Sequence, residues 1–103
     1  MKIWIDDVRV EPRDYVRCYS VNEAIQLIDN CRKTGEEIEV IAIDHDAGDY
    51  AAQGGDYMNV MNWLEAEGFK DMKIFILTSN SVARRAYQAI IRVNGWIELY
   101  KLP

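Results

Sequence analysis

Short apolar runs alternate with amphipathic segments along most of the chain. Five apolar runs predict β-strands at about residues 2–6, 15–19, 39–44, 73–78 and 96–101. Apolar residues at helical spacing predict three helices: one from Ser20 as its N-cap to Gly35, one at about 56–67 and one at about 81–94. Strands that alternate with helices favour a parallel arrangement. The pattern therefore predicts one open α/β sheet with five strands and three helices.

The first two predicted strands are joined without a helix. About eight polar residues separate them, Pro12 among them, and no helix follows the fifth strand. For a strand order of 2-1-3-4-5, right-handed crossovers place all three helices on one face of the sheet. The opposite face carries Trp4 and is too apolar to be left in water. We expect it to be covered by a second subunit, by a protein partner, or by the returning segment 7–14.

Composition restricts the classes of function. The chain has 103 residues, of which 50% are hydrophobic and 28% charged, as expected for one globular domain spanning 1–103. A formal net charge of -5 argues against general nucleic-acid binding. No apolar run reaches membrane-spanning length, and no signal peptide is evident. Cys18 and Cys31 lack a metal or disulfide spacing, so we expect free thiols and a cytoplasmic location.

Acidic residues follow two of the predicted strands. Asp6 and Asp7 come directly after the first strand, and Asp44 and Asp46 come after the third. The carboxyl ends of parallel strands share one rim, so these four carboxylates are expected to lie together. Grouped carboxylates repel one another unless a cation neutralises them, and oxygen ligands favour Mg²⁺ or another hard divalent cation. The alternative interpretation is that these aspartates only cap turns.

Three residues, one of them already among these carboxylates, are candidates for chemical steps. Asp44, the first residue after its strand, is the nucleophile candidate. His45 is the only histidine, and flanking carboxylates favour its protonated form, which suits a general acid. Its predicted direction away from the carboxylates counts against that role. Lys101, at the end of the fifth predicted strand, is placed to pair with a phosphoryl oxygen, or else is an ordinary surface lysine.

The end of the fourth predicted strand is a candidate anion site. Thr78, Ser79 and Asn80 supply hydroxyl and amide groups beside the first N–H groups of the third helix. Asn80 or Ser81 is also expected to cap that helix. Arg84 follows in the first helical turn, where a cation opposes the helix dipole, and a phosphate partner would explain its position.

These motifs resemble the receiver domains of two-component signalling. In that comparison Asp6 and Asp7 match the acidic pair, Asp44 the phosphoacceptor, Thr78 the conserved hydroxyl, and Lys101 with Pro103 the last motif. The resemblance implies a flavodoxin-like, receiver-like open parallel sheet. The first and last receiver helices are missing, and an extra residue separates the lysine from the proline.

A closer resemblance is to the cyclic-phosphate processing receiver domains. Their motifs stand here as Ile5-Asp6-Asp7-Val8-Arg9 with Pro12, Asp44-His45-Asp46-Ala47-Gly48, Gly55-Asp56 and Thr78-Ser79-Asn80. Leu77 occupies the position where that family commonly has a histidine. The resemblance implies metal-dependent activity on a cyclic phosphate, with Arg9 or Lys101 neutralising developing charge.

Three functions therefore remain open on sequence grounds. The first is a phosphodiesterase-like hydrolase that opens cyclic phosphates, favoured by His45-Asp46 and the missing helices. The second is a receiver module that takes a phosphoryl group on Asp44. It is favoured by Thr78, by Lys101 and by the leucine at position 77, where the cyclic-phosphate family commonly has a histidine. The third is a degenerate domain that binds only a metal or a partner. A small phosphorylated ligand is expected for the first.

Overall fold

The computed structural model describes residues 1–103, which form one five-stranded sheet with helices packed against it. Its strands are β1 (Lys2–Ile5), β2 (Tyr15–Cys18), β3 (Val40–Ile43), β4 (Lys73–Ile76) and β5 (Ile97–Leu99). Its helices are α1 (Val21–Thr34), α2 (Met58–Ala66) and α3 (Ser81–Val93). All strand pairs are parallel and the order is β2-β1-β3-β4-β5, which confirms the predicted topology. None of the helices combines the length and apolar character needed to cross a membrane.

The strand register brings the ends of β1 and β3 together. Ile5 lies opposite Ile43 in the ladder, and Ile43 lies opposite Ile76. The ladder continues one step further, because the N–H of Asp44 donates to the Ile5 carbonyl at 2.9 Å. The first residues after β1 and β3 are therefore neighbours on one rim, as the sequence predicts.

The helices cover one face of the sheet and bury alternate strand residues. On that face the isoleucines of the three central strands join the core: Ile3, Ile5, Ile41, Ile43, Ile74 and Ile76. Helix α1 begins as predicted, since the Ser20 hydroxyl accepts a hydrogen bond from the Glu23 N–H at 3.1 Å. It ends at Gly35, whose φ of 79° suits a residue without a Cβ.

The opposite face carries no helix but is covered by the chain itself. The Trp4 side chain is only 5% exposed. Its Nε1 donates to the Arg9 carbonyl at 3.2 Å, and its ring meets that of Tyr15 edge-on at 5.7 Å. The returning segment 7–14 therefore covers Trp4, and a second subunit is not needed to bury it. A dimer or protein partner at this face stays a prediction.

The chain after β5 also crosses the helix-free face. The strand ends at Leu99, two residues earlier than predicted. The last carbonyl, that of Pro103, accepts hydrogen bonds from Lys2 Nζ and the Tyr15 hydroxyl, each at 3.4 Å. Lys2 and Tyr15 begin β1 and β2, so this segment leads toward the edge of the sheet opposite the acidic rim. The prediction that Lys101 ends the fifth strand at that rim is therefore wrong.

Candidate metal and phosphate site

Three carboxylates converge where β1 and β3 end. One oxygen from each of Asp6, Asp7 and Asp44 lies within 4.8 Å of the others. Asp6 is fully buried, whereas Asp7 and Asp44 are partly exposed. The parallel register explains the convergence, because Asp6 and Asp44 are the first residues beyond paired strand ends. We call these three residues the acidic cluster.

Asp6 is held by the turn that follows it. Its two carboxylate oxygens accept the main-chain N–H groups of Val8 at 3.3 Å and Arg9 at 3.1 Å. The Arg9 Nη1 donates to the same carboxylate at 3.3 Å. Burial alone would raise the pKa of Asp6, but these hydrogen bonds and the positive charge of Arg9 bring it below its ordinary value. Asp6 is thus a fixed, ionised carboxylate.

Arg9 joins the two strand ends electrostatically. Its Nη1 lies 3.3 Å from Asp6 Oδ2 and 3.1 Å from Asp44 Oδ2. The Arg9 side chain is 43% exposed, whereas the Asp44 side chain is 14% exposed. A single guanidinium therefore bridges two carboxylates of the acidic cluster, and three negative charges face one positive charge.

Asp44 is fixed through its main chain. The buried Tyr87 hydroxyl, from α3, donates to the Asp44 carbonyl at 2.6 Å. Burial raises the pKa of the Asp44 carboxyl, and the negative charge of Asp6 adds to this, against the opposing effects of the His45 N–H and Arg9. Asp44 is therefore easier to protonate than an ordinary aspartate.

Asp7 lies against the glycine of the loop after β3. A Cβ at Gly48 would collide with Asp7 Oδ2, and Gly48 has a φ of +54°, so a side chain is disfavoured there twice. Burial and then the charges of Asp6 and Asp44 raise the pKa of Asp7. The Asp46 carboxylate accepts the Gly48 N–H at 2.9 Å and stays outside the acidic cluster.

These residues line an open cleft of about 450 Å³, formed by Asp7, Val8, Arg9, Asp44 and Asp46. Clefts of this size accommodate a small organic ligand. A larger cleft of about 550 Å³ lies between β2 and α1, but there Asp29 is paired with Lys33 at 3.0 Å. We assign the site to the smaller cleft because its chemistry, rather than its volume, is distinctive.

The candidates after β4 make contacts within the chain. The buried Thr78 hydroxyl accepts the Asn80 N–H at 3.1 Å. Asn80 caps α3, since its side-chain oxygen accepts the first helical N–H groups at 3.0 Å. Arg84 donates to the carbonyls of Ile76 and Thr78 at 3.3 and 3.1 Å. Of the predicted anion-binding residues here, Ser79 is exposed and has no hydrogen bond within the chain.

His45 and Lys101 are not joined to the acidic cluster. The His45 ring lies beside Tyr87, with ring centroids 6.4 Å apart, and no hydrogen bond links that ring to the carboxylates. Lys101 is exposed on the segment that leads away from the rim and forms no ion pair. The structure therefore gathers Asp6, Asp7, Asp44 and Arg9, places Asp46 in the same cleft but outside the acidic cluster, and leaves His45 and Lys101 apart from them.

Sequence reasoning missed three contributors to the site. The N–H groups of Val8 and Arg9 hold the Asp6 carboxylate. An aspartate directly before a turn often accepts such hydrogen bonds, so the sequence contained a signal for them. Gly48 allows the close approach of Asp7, and its position in the Asp44–Gly48 motif was the available signal. Tyr87 lies in the third predicted helix, and nothing in the sequence indicates its hydrogen bond to the Asp44 carbonyl.

The acidic cluster fits a hard divalent cation. Its donors are all carboxylate oxygens, which Mg²⁺ prefers, and they carry more negative charge than Arg9 offsets. Burial is the first cause of the raised pKa values of Asp7 and Asp44, and a further cause is repulsion between the neighbouring carboxylates. A bound cation at Asp6, Asp7 and Asp44 would remove it.

A five-stranded parallel sheet of this order, with an acidic cluster at its carboxyl rim, defines a receiver-like α/β domain. The family model of the cyclic-phosphate processing receiver domain matches residues 1–93, so the chain belongs to that family. No curated protein and no solved structure matches the chain.

Proposed function

We propose that this protein is a metal-dependent phosphohydrolase that opens cyclic phosphates. The observation that carries the proposal is the convergence of Asp6, Asp7 and Asp44 with the Arg9 guanidinium, beside an open cleft that Asp7, Asp44 and Arg9 line. Phosphoryl chemistry needs positive charge placed around the phosphoryl oxygens and a base or nucleophile beside them. Membership of the cyclic-phosphate processing receiver family supports a cyclic ester as the substrate class.

The chain's own residues divide into two tasks. Asp6, Asp7 and Asp44 would hold a divalent cation, with Mg²⁺ the first choice for an all-oxygen donor set. Such a cation supplies charge stabilisation at a phosphoryl oxygen. Arg9 lines the cleft and donates to a second phosphoryl oxygen. Together these groups bind and orient the phosphate.

Asp44 is the residue proposed to move the proton. A water oxygen forms a bond to phosphorus, one ring P–O bond breaks, and the product is an open monoester. Asp44 accepts the proton of the attacking water, and the departing oxygen takes a proton from solvent. The Asp44 carboxylate lines the cleft, so it is placed to accept that proton.

Phosphorus NMR tests this function directly. We expect the protein with Mg²⁺ to convert one or more members of a panel of small cyclic phosphates, including 2′,3′-cyclic nucleotides, with many turnovers. EDTA and the Asp44→Asn substitution should each stop the conversion. The matched control is Asp71→Asn, because Asp71 is exposed, lies outside the cleft, and has a φ of 59° that asparagine tolerates.

Two results would count against the hydrolase. One is an unchanged rate for Asp44→Asn, which would remove the site assignment. The other is the absence of turnover across the panel together with phosphorus that stays on Asp44 after treatment with a small phosphodonor. That second result would identify a receiver module in place of an enzyme.

A further inference from the structure

The Arg9 guanidinium contacts two of the three carboxylates that a metal ion would use. Its Nη1 lies 3.3 Å from Asp6 Oδ2 and 3.1 Å from Asp44 Oδ2, and both residues belong to the acidic cluster. We propose that Arg9 is an internal counter-cation which a divalent metal displaces, and that the displaced guanidinium then binds the phosphate of the ligand. The inference rests on the proposed function for its metal and ligand class.

Charge makes the guanidinium and a divalent ion competitors. Both are cations attracted to the same pair of carboxylates, and two cations held within a few ångströms repel each other in a partly buried site. Arg9 donates a charge-assisted hydrogen bond to Asp6 and forms an ion pair with Asp44, so a metal must compensate for the loss of both contacts. The apparent metal affinity should therefore be lower than the acidic cluster alone would give.

The segment is built so that the side chain can move while the main chain stays in place. The Arg9 N–H donates to Asp6 at 3.1 Å, and the Arg9 carbonyl accepts the Trp4 indole N–H at 3.2 Å. Trp4 is buried, so this anchor is rigid. The Arg9 side chain is 43% exposed and lines the open cleft. Its guanidinium can therefore turn from the carboxylates toward the cleft without loss of the main-chain contacts.

An order of binding follows from this exchange. Before a metal binds, the guanidinium is engaged by Asp6 and Asp44 and is a weak phosphate donor. After a metal binds, those carboxylates are neutralised and the guanidinium is available. Metal and phosphate therefore bind with positive coupling, and by linkage each raises the affinity for the other by the same factor.

The test compares Arg9→Gln and Arg9→Lys with the wild-type protein in two titrations. The first uses Mg²⁺ alone, and the second uses inorganic phosphate at saturating Mg²⁺, both followed by calorimetry and by ¹H–¹⁵N NMR. Arg13→Gln is the matched control, since Arg13 is an exposed arginine of the same segment and forms no ion pair. The Trp4 indole signal reports whether segment 7–14 is intact in each variant, because its acceptor is a main-chain carbonyl.

The expected result is a pair of opposite changes. Arg9→Gln should bind Mg²⁺ about three- to tenfold more tightly, because no internal cation has to leave. It should bind phosphate at least about tenfold more weakly, because a charge-assisted donor is lost. Arg9→Lys should stay near wild type in both titrations, and Arg13→Gln should match wild type.

Other outcomes overturn the proposal in separable ways. Weaker Mg²⁺ binding by Arg9→Gln would mean that Arg9 only positions the carboxylates. Unchanged phosphate binding by Arg9→Gln would show that the displaced guanidinium does not bind phosphate. In both cases the metal site of the proposed function survives. Wild-type protein that binds no Mg²⁺ would overturn the exchange and the proposed function together. Opposite changes in a protein without turnover would support the exchange and reject only the hydrolase.

Discussion

Two halves of the same rim have the same architecture but use their polar groups differently. After β1 and β3, the acidic half brings Asp6, Asp7 and Asp44 together, and Asp7 and Asp44 line an open cleft. After β4, the capped half, formed by Thr78, Asn80 and Arg84, directs its polar groups onto the chain itself. The acidic half therefore has binding capacity left over, whereas the capped half has satisfied its own hydrogen bonds.

The difference distinguishes a functional arrangement from a structural one. A chain under selection for stability alone would not hold three carboxylates within 4.8 Å of one another with a single guanidinium to offset them. Burial, and then the neighbouring negative charges, raise the pKa values of Asp7 and Asp44, as is common at functional sites. Sites where local rules are broken are where ligands are expected. In the capped half, Arg84 lies unfavourably in the first helical turn, but its hydrogen bonds to the Ile76 and Thr78 carbonyls offset that placement.

The largest expected difference in the free energy of unfolding is between substitutions of the buried polar residue in each half, Asp6 and Thr78. Asp6→Ala leaves two main-chain N–H groups without their acceptor and removes one of the two carboxylates that pair with Arg9, so we expect a loss of about 3 kcal/mol in the free energy of unfolding. Thr78→Val removes one acceptor and should cost about 1 kcal/mol. Urea denaturation measures both, and equal costs would contradict the distinction.

Tyr87 connects the halves, and its hydroxyl tests whether Asp44 is fixed from α3. Tyr87→Phe leaves the Asp44 carbonyl without its buried donor, which should cost about 1–2 kcal/mol of unfolding free energy. Tyr100→Phe is the control, because Tyr100 is 81% exposed and its hydroxyl contacts only Glu98. The control should change stability by less than about 0.5 kcal/mol. A Tyr87→Phe protein as stable as the control would show that this bond is dispensable.

The capped half should affect stability without affecting metal binding. Asn80→Ala removes the side-chain oxygen that accepts the Val82 and Ala83 N–H groups, at a cost of about 1 kcal/mol. Calorimetry with Mg²⁺ should nonetheless give the wild-type affinity per folded molecule. Ser79→Ala, next to it and without a hydrogen bond in the chain, should change neither quantity. Loss of Mg²⁺ affinity in Asn80→Ala would show that the two halves form a single metal-binding site.

The contrast also shows what the sequence could predict. Strand ends followed by aspartates predicted the acidic cluster, because a parallel register fixes where those ends meet. The direction of the chain after Leu99 was not predictable, since hydrogen bonds from Lys2 and Tyr15, distant in sequence, determine it. The same limit applies to Arg84, whose bonds to strand carbonyls depend on how α3 packs. Local patterns predicted the elements and their order, whereas these long-range contacts decided which candidates face the cleft.

Asp7 allows the finest test, because it carries charge in the acidic half without a cationic partner in the structure. Its raised pKa means that the folded protein binds its proton more tightly than the unfolded chain does. The associated stability is present at low pH and is lost as pH rises through the folded-state pKa. Asp7→Asn cannot ionise, so at pH 7 without Mg²⁺ it should be more stable than wild type by about 0.5 kcal/mol, or roughly 2–4 °C.

That advantage should shrink as the pH falls through the raised pKa of Asp7 toward the ordinary aspartate value of about 4. It should also reverse when Mg²⁺ is added, because the wild-type protein gains binding energy that the variant lacks. Asp49→Asn, an exposed change in the neighbouring turn, is the control and should follow wild type throughout. Thermal melts at several pH values, with and without Mg²⁺, measure this. If the variant is less stable than wild type at pH 7 without Mg²⁺, the Asp7 carboxylate must be held by attractive contacts. The polar groups of the acidic half would then be satisfied within the chain, as those of the capped half are.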